Sequence, residues 1–199
     1  MIVSETHKFI FVKLPKTAGT TIVSHIEKLS NHSLRNPRKG DHEKLSEILE
    51  YNTAYQKYFK FSFVRNPWDL RVSRYFYLRN IEIPYNKKKG LKTDTSALDL
   101  SFEEWCESES WFPDKQGGQF GYLVDENGNM KVDFIGRYET LQKDFNTICD
   151  KLNISRHQLS CKNKSNHKHY TEYYSEHTKK IIQKNYAKDI EYFGYKFGE

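Results

Sequence analysis

At 199 residues the chain has the length of one ordinary domain and can bury a real core, to which its 14 Tyr and 13 Phe are suited. Lys+Arg 32 against Asp+Glu 26 leaves a net charge of +6, a surplus that suits nucleotide phosphates, an acidic polysaccharide, nucleic acid or a membrane surface without choosing among them. The three cysteines, Cys106, Cys149 and Cys161, are widely spaced and form no C-x-x-C pair, which argues against a disulfide framework or zinc site and for a reducing compartment.

The opening stretch, Met1 to Lys8, lacks the charged-then-apolar pattern of a signal peptide, and no run approaches the roughly 18–20 apolar residues of a membrane span. The expectation is a soluble, cytoplasmic protein with a single domain over residues 1–199. Lys8 to Leu14 (Lys-Phe-Ile-Phe-Val-Lys-Leu) reads as a buried strand bounded by Pro15. Pro15 to Gly19 is then a loop, and Thr20 to Leu29 has helical apolar spacing through Ile22, Val23, Ile26 and Leu29. Asn31 to Gly40 is polar and rich in breakers. Asp41 is placed as the N-cap of a helix from His42 to about Tyr58, with Leu45, Ile48 and Leu49 on one face.

Lys60 to Val64 is the second strand, and Pro67 opens a helix to about Asn80. Ile81 to Leu100 reads as a Lys-rich connection. Ser101-Phe-Glu-Glu104 has the capping-box pattern of a helix start. Trp111 to Gly121 reads as loop, Asp125-Glu-Asn-Gly128 as a hairpin turn, and Val132 to Arg137 as a third core strand. An amphipathic helix follows from Glu139 to Leu152, then a basic loop from Arg156 to Tyr170 and a final helix from Ser175 to Tyr186. Strands alternating with helices predict an α/β, three-layer sandwich with a mostly parallel central sheet and a P-loop-like nucleotide-binding core.

The strongest chemical signal is a strand, then Pro15-Lys16-Thr17-Ala18-Gly19-Thr20-Thr21, then a helix. Such a turn aims free N–H groups and a positive dipole at a phosphate. Gly19 permits close backbone approach, Thr20 and Thr21 add hydroxyl donors, and Lys16 adds a full charge. It is not the ATP-type G-x-x-x-x-G-K-[ST], because the single glycine follows the lysine. In the second strand-to-helix segment, Phe61-Ser-Phe-Val-Arg65-Asn-Pro-Trp-Asp-Leu-Arg71-Val-Ser73-Arg-Tyr75, Arg65 offers a donor fork matched to phosphate oxygens, and Ser73 lies eight residues on. Arg71 fits either a functional or a structural role.

The first loop resembles the 5′-phosphosulfate loop of sulfotransferases dependent on 3′-phosphoadenosine-5′-phosphosulfate (PAPS), P-K-[ST]-x-[GS]-[ST]-[ST], and the second their 3′-phosphate motif, R-[DN]-P-x-x-R-x-x-S-x-Y. Val132-Asp-Phe-Ile-Gly-Arg-Tyr-Glu-Thr-Leu-Gln-Lys-Asp-Phe145 and the stretch from Tyr170 to Tyr195 are similar, less specifically, to segments of the Golgi-type and bacterial carbohydrate sulfotransferases. The resemblance implies transfer of a sulfonyl group from PAPS to a carbohydrate hydroxyl without a metal. Lys16 is then the catalytic lysine, and Lys16, Thr17, Ala18, Gly19, Thr20 and Thr21 form the 5′-phosphate loop. Arg65 and Ser73 become 3′-phosphate ligands and Tyr138 an adenine-stacking residue. A general base is also needed. His42 is the first candidate, with His25, His32 and Glu43 as rivals in the region between the two motifs. A small-molecule kinase would need the Gly-Lys-Ser/Thr order and an acidic strand end for Mg²⁺, and neither is found. A nucleic-acid-binding module would expose stacking aromatics on a sheet, whereas the aromatic strands here read as buried.

Overall fold

The computed structural model describes residues 1–30, 42–108, 118–160 and 167–199. In chain order its elements are β1 (Ile2–Ser4), β2 (Phe9–Val12), α1 (Gly19–Ser30), α2 (Leu45–Tyr51), β3 (Phe59–Val64), α3 (Pro67–Tyr77), α4 (Ile83–Lys89), α5 (Ser96–Asp99) and α6 (Phe102–Glu107). There follow α7 (Gly118–Gly121), β4 (Phe134–Arg137), α8 (Leu141–Lys151), α9 (Glu176–Asn185) and α10 (Ala187–Phe193). The sheet runs β1-β2-β3-β4, with β1 antiparallel to β2 and the other neighbours parallel. The architecture is therefore α/β with a mostly parallel sheet, as the alternation of strands and helices predicts. The chain divides into two compact units, Met1–Arg65 with Gln119–Lys162 and Asn66–Gly118 with Asn163–Glu199.

In the first unit, alternate positions of β2 and β3 send Phe9, Phe11, Phe61 and Phe63 to one face. There they pack on Ile22 and Ile26 of α1 and on Phe145, Ile148 and Cys149 of α8. Phe11 and Phe61 are register partners, and their rings stack with centroids 5.0 Å apart. Burying each such side chain contributes about 1.5–3 kcal/mol, so these aromatic pairs anchor the parallel ladder. Gly136 lies opposite Phe63 in the register, and a Cβ there would fall 2.5 Å from the Phe63 ring. Only glycine fits that place in β4 without moving the ring.

In the second unit, Asn66 caps α3, its side chain accepting from Trp68 N at 3.1 Å and donating to Lys196 O at 2.9 Å. The Ser101 capping box is present in full, with Ser101 N donating to Glu104 at 2.8 Å and Glu104 N to Ser101 Oγ at 3.3 Å. Arg71 is wholly buried, and its guanidinium lies 3.7 Å from the centroid of the Trp105 ring.

Several boundaries differ from the sequence reading. The helix expected from His42 to Tyr58 is α2 alone; it stops at Asn52, whose side chain accepts from Ala54 N at 3.0 Å and opens a 3-10 turn, Thr53–Lys57. The connection expected from Ile81 to Leu100 holds α4 and α5. The chain passes from α3 through a π-helical turn, Leu78–Glu82, braced by Arg74 on Glu82 at 2.6 Å. The hairpin at Asp125 is a single antiparallel bridge, Val124 to Met130. The strand β1 and the helices α7 and α10 were not anticipated; α7 takes the last four residues of the loop expected from Trp111 to Gly121. The expected loops over Asn31 to Gly40 and Trp111 to Gly117, the Asp41 cap, His32, Cys161 and the 161–166 part of the basic loop lie outside the described residues.

Candidate active site

The first strand-to-helix loop turns through two left-handed residues that are not glycine, Lys16 at φ 61° and Ala18 at φ 62°. Between them Thr17 is fully buried and its hydroxyl donates to Leu14 O at 3.1 Å, closing the loop on itself. Ala18 O accepts from Ile22 N at 3.1 Å, the first bond of α1. Gly19 then opens the helix. A Cβ at this position would meet Lys13 Cγ at 2.6 Å, so the aliphatic stem of Lys13 lies against the start of α1. Thr20 is exposed on the first turn, and Thr21 is buried.

The second loop meets the first through Arg65, just past the last residue of β3. Its NH1 donates to Lys16 O at 3.0 Å, and its guanidinium carbon lies 3.8 Å from the centroid of the Tyr138 ring. Arg65 is 5% exposed, so the guanidinium is held in place by burial as well as by these contacts. Tyr138 follows the end of β4, where Asp144 braces the turn by accepting from Arg137 N at 2.8 Å and Thr140 Oγ1 at 2.7 Å. Lys16, Arg65 and Tyr138 are therefore brought together by the ends of three adjacent parallel strands.

His42 is exposed, and its Nδ1 lies 2.8 Å from Lys13 O. A carbonyl can only accept, so Nδ1 carries the proton and Nε2 is the proton-accepting nitrogen of the neutral ring. The histidine stands three residues before α2 and does not open that helix as expected. The hydrogen bond to Lys13 O holds it beside the loop from Pro15 to Thr21. His25 is buried, with Nδ1 on Thr21 O at 2.8 Å, Ser160 N donating to Nε2 at 3.4 Å, and its ring edge-on to Phe145. Both nitrogens serve the packing of α1, which removes His25 from the candidates for a base. Glu43 is half-buried beside His42 in the chain.

Against this geometry, a family model described as the sulfotransferase family matches residues 1–196. The chain belongs to the sulfotransferase family. Carbohydrate sulfotransferase 11 of Danio rerio is 28% identical over 181 residues, covering 74% of this chain and 51% of the relative. Carbohydrate sulfotransferase 14 of the same fish is 25% identical over 187 residues, covering 79% and 49%. An uncharacterized protein of Archaeoglobus fulgidus is 33% identical over 102 residues, covering 50% and 72%. The chain spans about half the length of the carbohydrate sulfotransferases it matches.

Ser73 is a buried residue of α3, in a run from Leu70 to Tyr75 that is buried throughout. Arg71, left open by the sequence, stacks on Trp105, and Cys106 next to it has its thiol pushed up to about 11 by burial, against an opposing pull from Arg71. Such a thiol is inert. Among the described residues no group of three or more His, Cys, Asp or Glu side chains is arranged to hold a metal, and no helix is long and apolar enough to cross a membrane. Gln119, buried in α7 and bonded to the backbone of Arg65, escaped the sequence reading. Its only signal was a polar residue after Gly117-Gly118 in what read as a loop.

Proposed function

We propose that this protein transfers a sulfonyl group from PAPS to an acceptor hydroxyl, with a carbohydrate as the acceptor class. The observation that carries the reading is the hydrogen bond from Arg65 to the carbonyl of Lys16, which joins the two phosphate motifs at one place. In this reading the left-handed residues Lys16 and Ala18 shape a P-loop-like cradle whose backbone N–H groups, with Thr20 and Thr21, face the 5′-phosphate at the start of α1. Arg65 reads the 3′-phosphate, and Tyr138 is assigned to the adenine by the sequence resemblance alone. Ser73 is assigned to the same phosphate as Arg65 by the sequence resemblance alone. The carbohydrate acceptor rests on the likeness to carbohydrate sulfotransferases 11 and 14.

The reaction is an in-line displacement at sulfur. The acceptor oxygen forms the new O–S bond while the bond from sulfur to the bridging oxygen breaks. The electron pair of that bond leaves with 3′,5′-phosphoadenosine. Lys16 stabilises the charge developing on the bridging oxygen, and His42 Nε2 takes the proton of the acceptor hydroxyl. Most of the rate comes from positioning and fixed positive charge that strengthen toward the transition state.

Incubation with radiolabelled PAPS and a panel of glycans, lipids and phenols tests the assignment, with label expected on a glycan. Lys16→Ala should lower turnover far more than nucleotide affinity, because its interaction is made chiefly in the transition state. Loss of affinity alone would remove Lys16 from the chemical step. Thermal stabilisation by ATP with Mg²⁺ equal to that by PAPS would reject PAPS as the donor.

A further inference from the structure

Gln119 is 5% exposed, and its amide makes two hydrogen bonds to one residue. Oε1 accepts from Arg65 N at 2.9 Å and Nε2 donates to Arg65 O at 2.8 Å. The orientation of the amide is dictated by its partners, since a backbone N–H must meet the oxygen and a carbonyl the nitrogen. The β3–β4 ladder has its last register pair at Val64 and Arg137. At Arg65, one step beyond, Gln119 supplies with a side chain the donor and acceptor that a further strand residue would have supplied. Buried peptide groups left unpaired are costly, so the clamp fixes the Arg65 backbone firmly.

That backbone carries the guanidinium to Lys16 O and to the face of Tyr138. With both peptide groups of Arg65 held, its side chain starts from a fixed origin, and the donor fork is aimed before any nucleotide arrives. We infer that Gln119 is the positioning residue for Arg65, setting the enzyme's preference for a nucleotide that bears a 3′-phosphate. This rests on the proposed PAPS reading. Gln119 acts through Arg65 and need not touch the nucleotide. The role demands an acceptor and a donor in one planar group. Glutamate keeps the shape but turns an oxygen toward Arg65 O, and leucine offers neither bond.

The test is isothermal titration of wild type, Gln119→Glu and Gln119→Leu with 3′,5′-phosphoadenosine and with adenosine 5′-monophosphate, which lacks the 3′-phosphate. Thermal melts establish that each variant is folded, and the isosteric Gln119→Glu serves if the leucine variant is not. Wild type should prefer the 3′-phosphorylated ligand by about tenfold or more, the scale of one charged hydrogen bond. In a folded variant that preference should fall toward unity, with adenosine 5′-monophosphate bound within about twofold of wild type. In an Arg65→Ala background the Gln119 changes should add less than about twofold, as expected for residues acting through one interaction. A folded variant that keeps the full preference, or one that weakens both ligands equally, overturns the inference and leaves Gln119 a purely structural residue. A wild type with no preference between the ligands overturns the PAPS reading itself, which separates the two failures.

Discussion

Replacing Arg65 with lysine keeps the charge and removes the geometry, which makes it the sharpest probe of the site. The guanidinium does two things a lysine ammonium cannot do together. Its central carbon lies over the Tyr138 ring, 3.8 Å from the centroid, while NH1 bonds Lys16 O at 3.0 Å, all within a residue only 5% exposed. A charged hydrogen bond contributes about 1.5–3 kcal/mol, and a guanidinium on a desolvated tyrosine face about 0.5–2 kcal/mol. Part of this is retained by the lysine as a point charge. Arg65→Lys should therefore weaken 3′,5′-phosphoadenosine binding by about 1.5 kcal/mol, roughly tenfold. Arg65→Ala should weaken it by up to about 3 kcal/mol, on the order of a hundredfold. Isothermal titration of the three proteins should rank them wild type, lysine, alanine. Turnover should drop as well, because the Lys16 peptide loses the donor that holds it. A lysine variant that binds as wild type does would show that only charge matters at position 65, and the argument from the planar fork would fail.

Gly136→Ala should lower the melting temperature, because its Cβ would fall 2.5 Å from the buried Phe63 ring. A net cost of about 1–2 kcal/mol corresponds to roughly 2–8 °C for a chain of this size, and an unchanged melting curve would mean the ring gives way freely. His42→Ala should leave nucleotide binding intact and slow the chemical step by about 10²–10⁴-fold. Near-normal turnover would reject His42 and bring Glu43 forward. Cys106 and Cys149, both pushed up to about 11 from an ordinary 9.0 by burial, should resist an aromatic disulfide reagent at pH 8 until denaturant is added. Between pH 9 and 11 the folded state holds protons that the unfolded state has lost, so these thiols make stability fall as pH rises through that window. Rapid labelling of either in the folded protein, or stability that rises there, would contradict the burial.

The parallel core was legible because its strands announce themselves. Phe9 to Val12, Phe59 to Val64 and Phe134 to Arg137 are short aromatic or β-branched runs, and the first two are bounded by Pro15 and Pro67. The Ser101 capping box needed only four adjacent residues to be read. The strand β1 is three residues long and acquires its identity only from pairing with Phe9 to Phe11, which a linear reading cannot see. The helix α4 was hidden by Pro84 and the lysines after it. Pro84 falls within the first turn, where a missing N–H costs little, and the π turn before it carries the chain on without a break. At the site, the loop residues and Arg65 were visible as motifs, and Tyr138 through the family resemblance. The tether of His42 to Lys13 O and the clamp of Gln119 on Arg65 join residues 29 and 54 positions apart and leave no local pattern.

The left-handed backbone at Lys16 and Ala18 sets two kinds of selection against each other. Each non-glycine residue in that region costs about 1–2 kcal/mol, so a library screened for heat resistance would be drawn toward glycine at both positions. At Ala18 the change should be tolerated, since no side-chain chemistry is asked of it. At Lys16 the same change would remove the charge assigned to the leaving group. A stability screen and an activity screen run on one library should thus agree at position 18 and choose opposite residues at position 16, two steps away in the same loop.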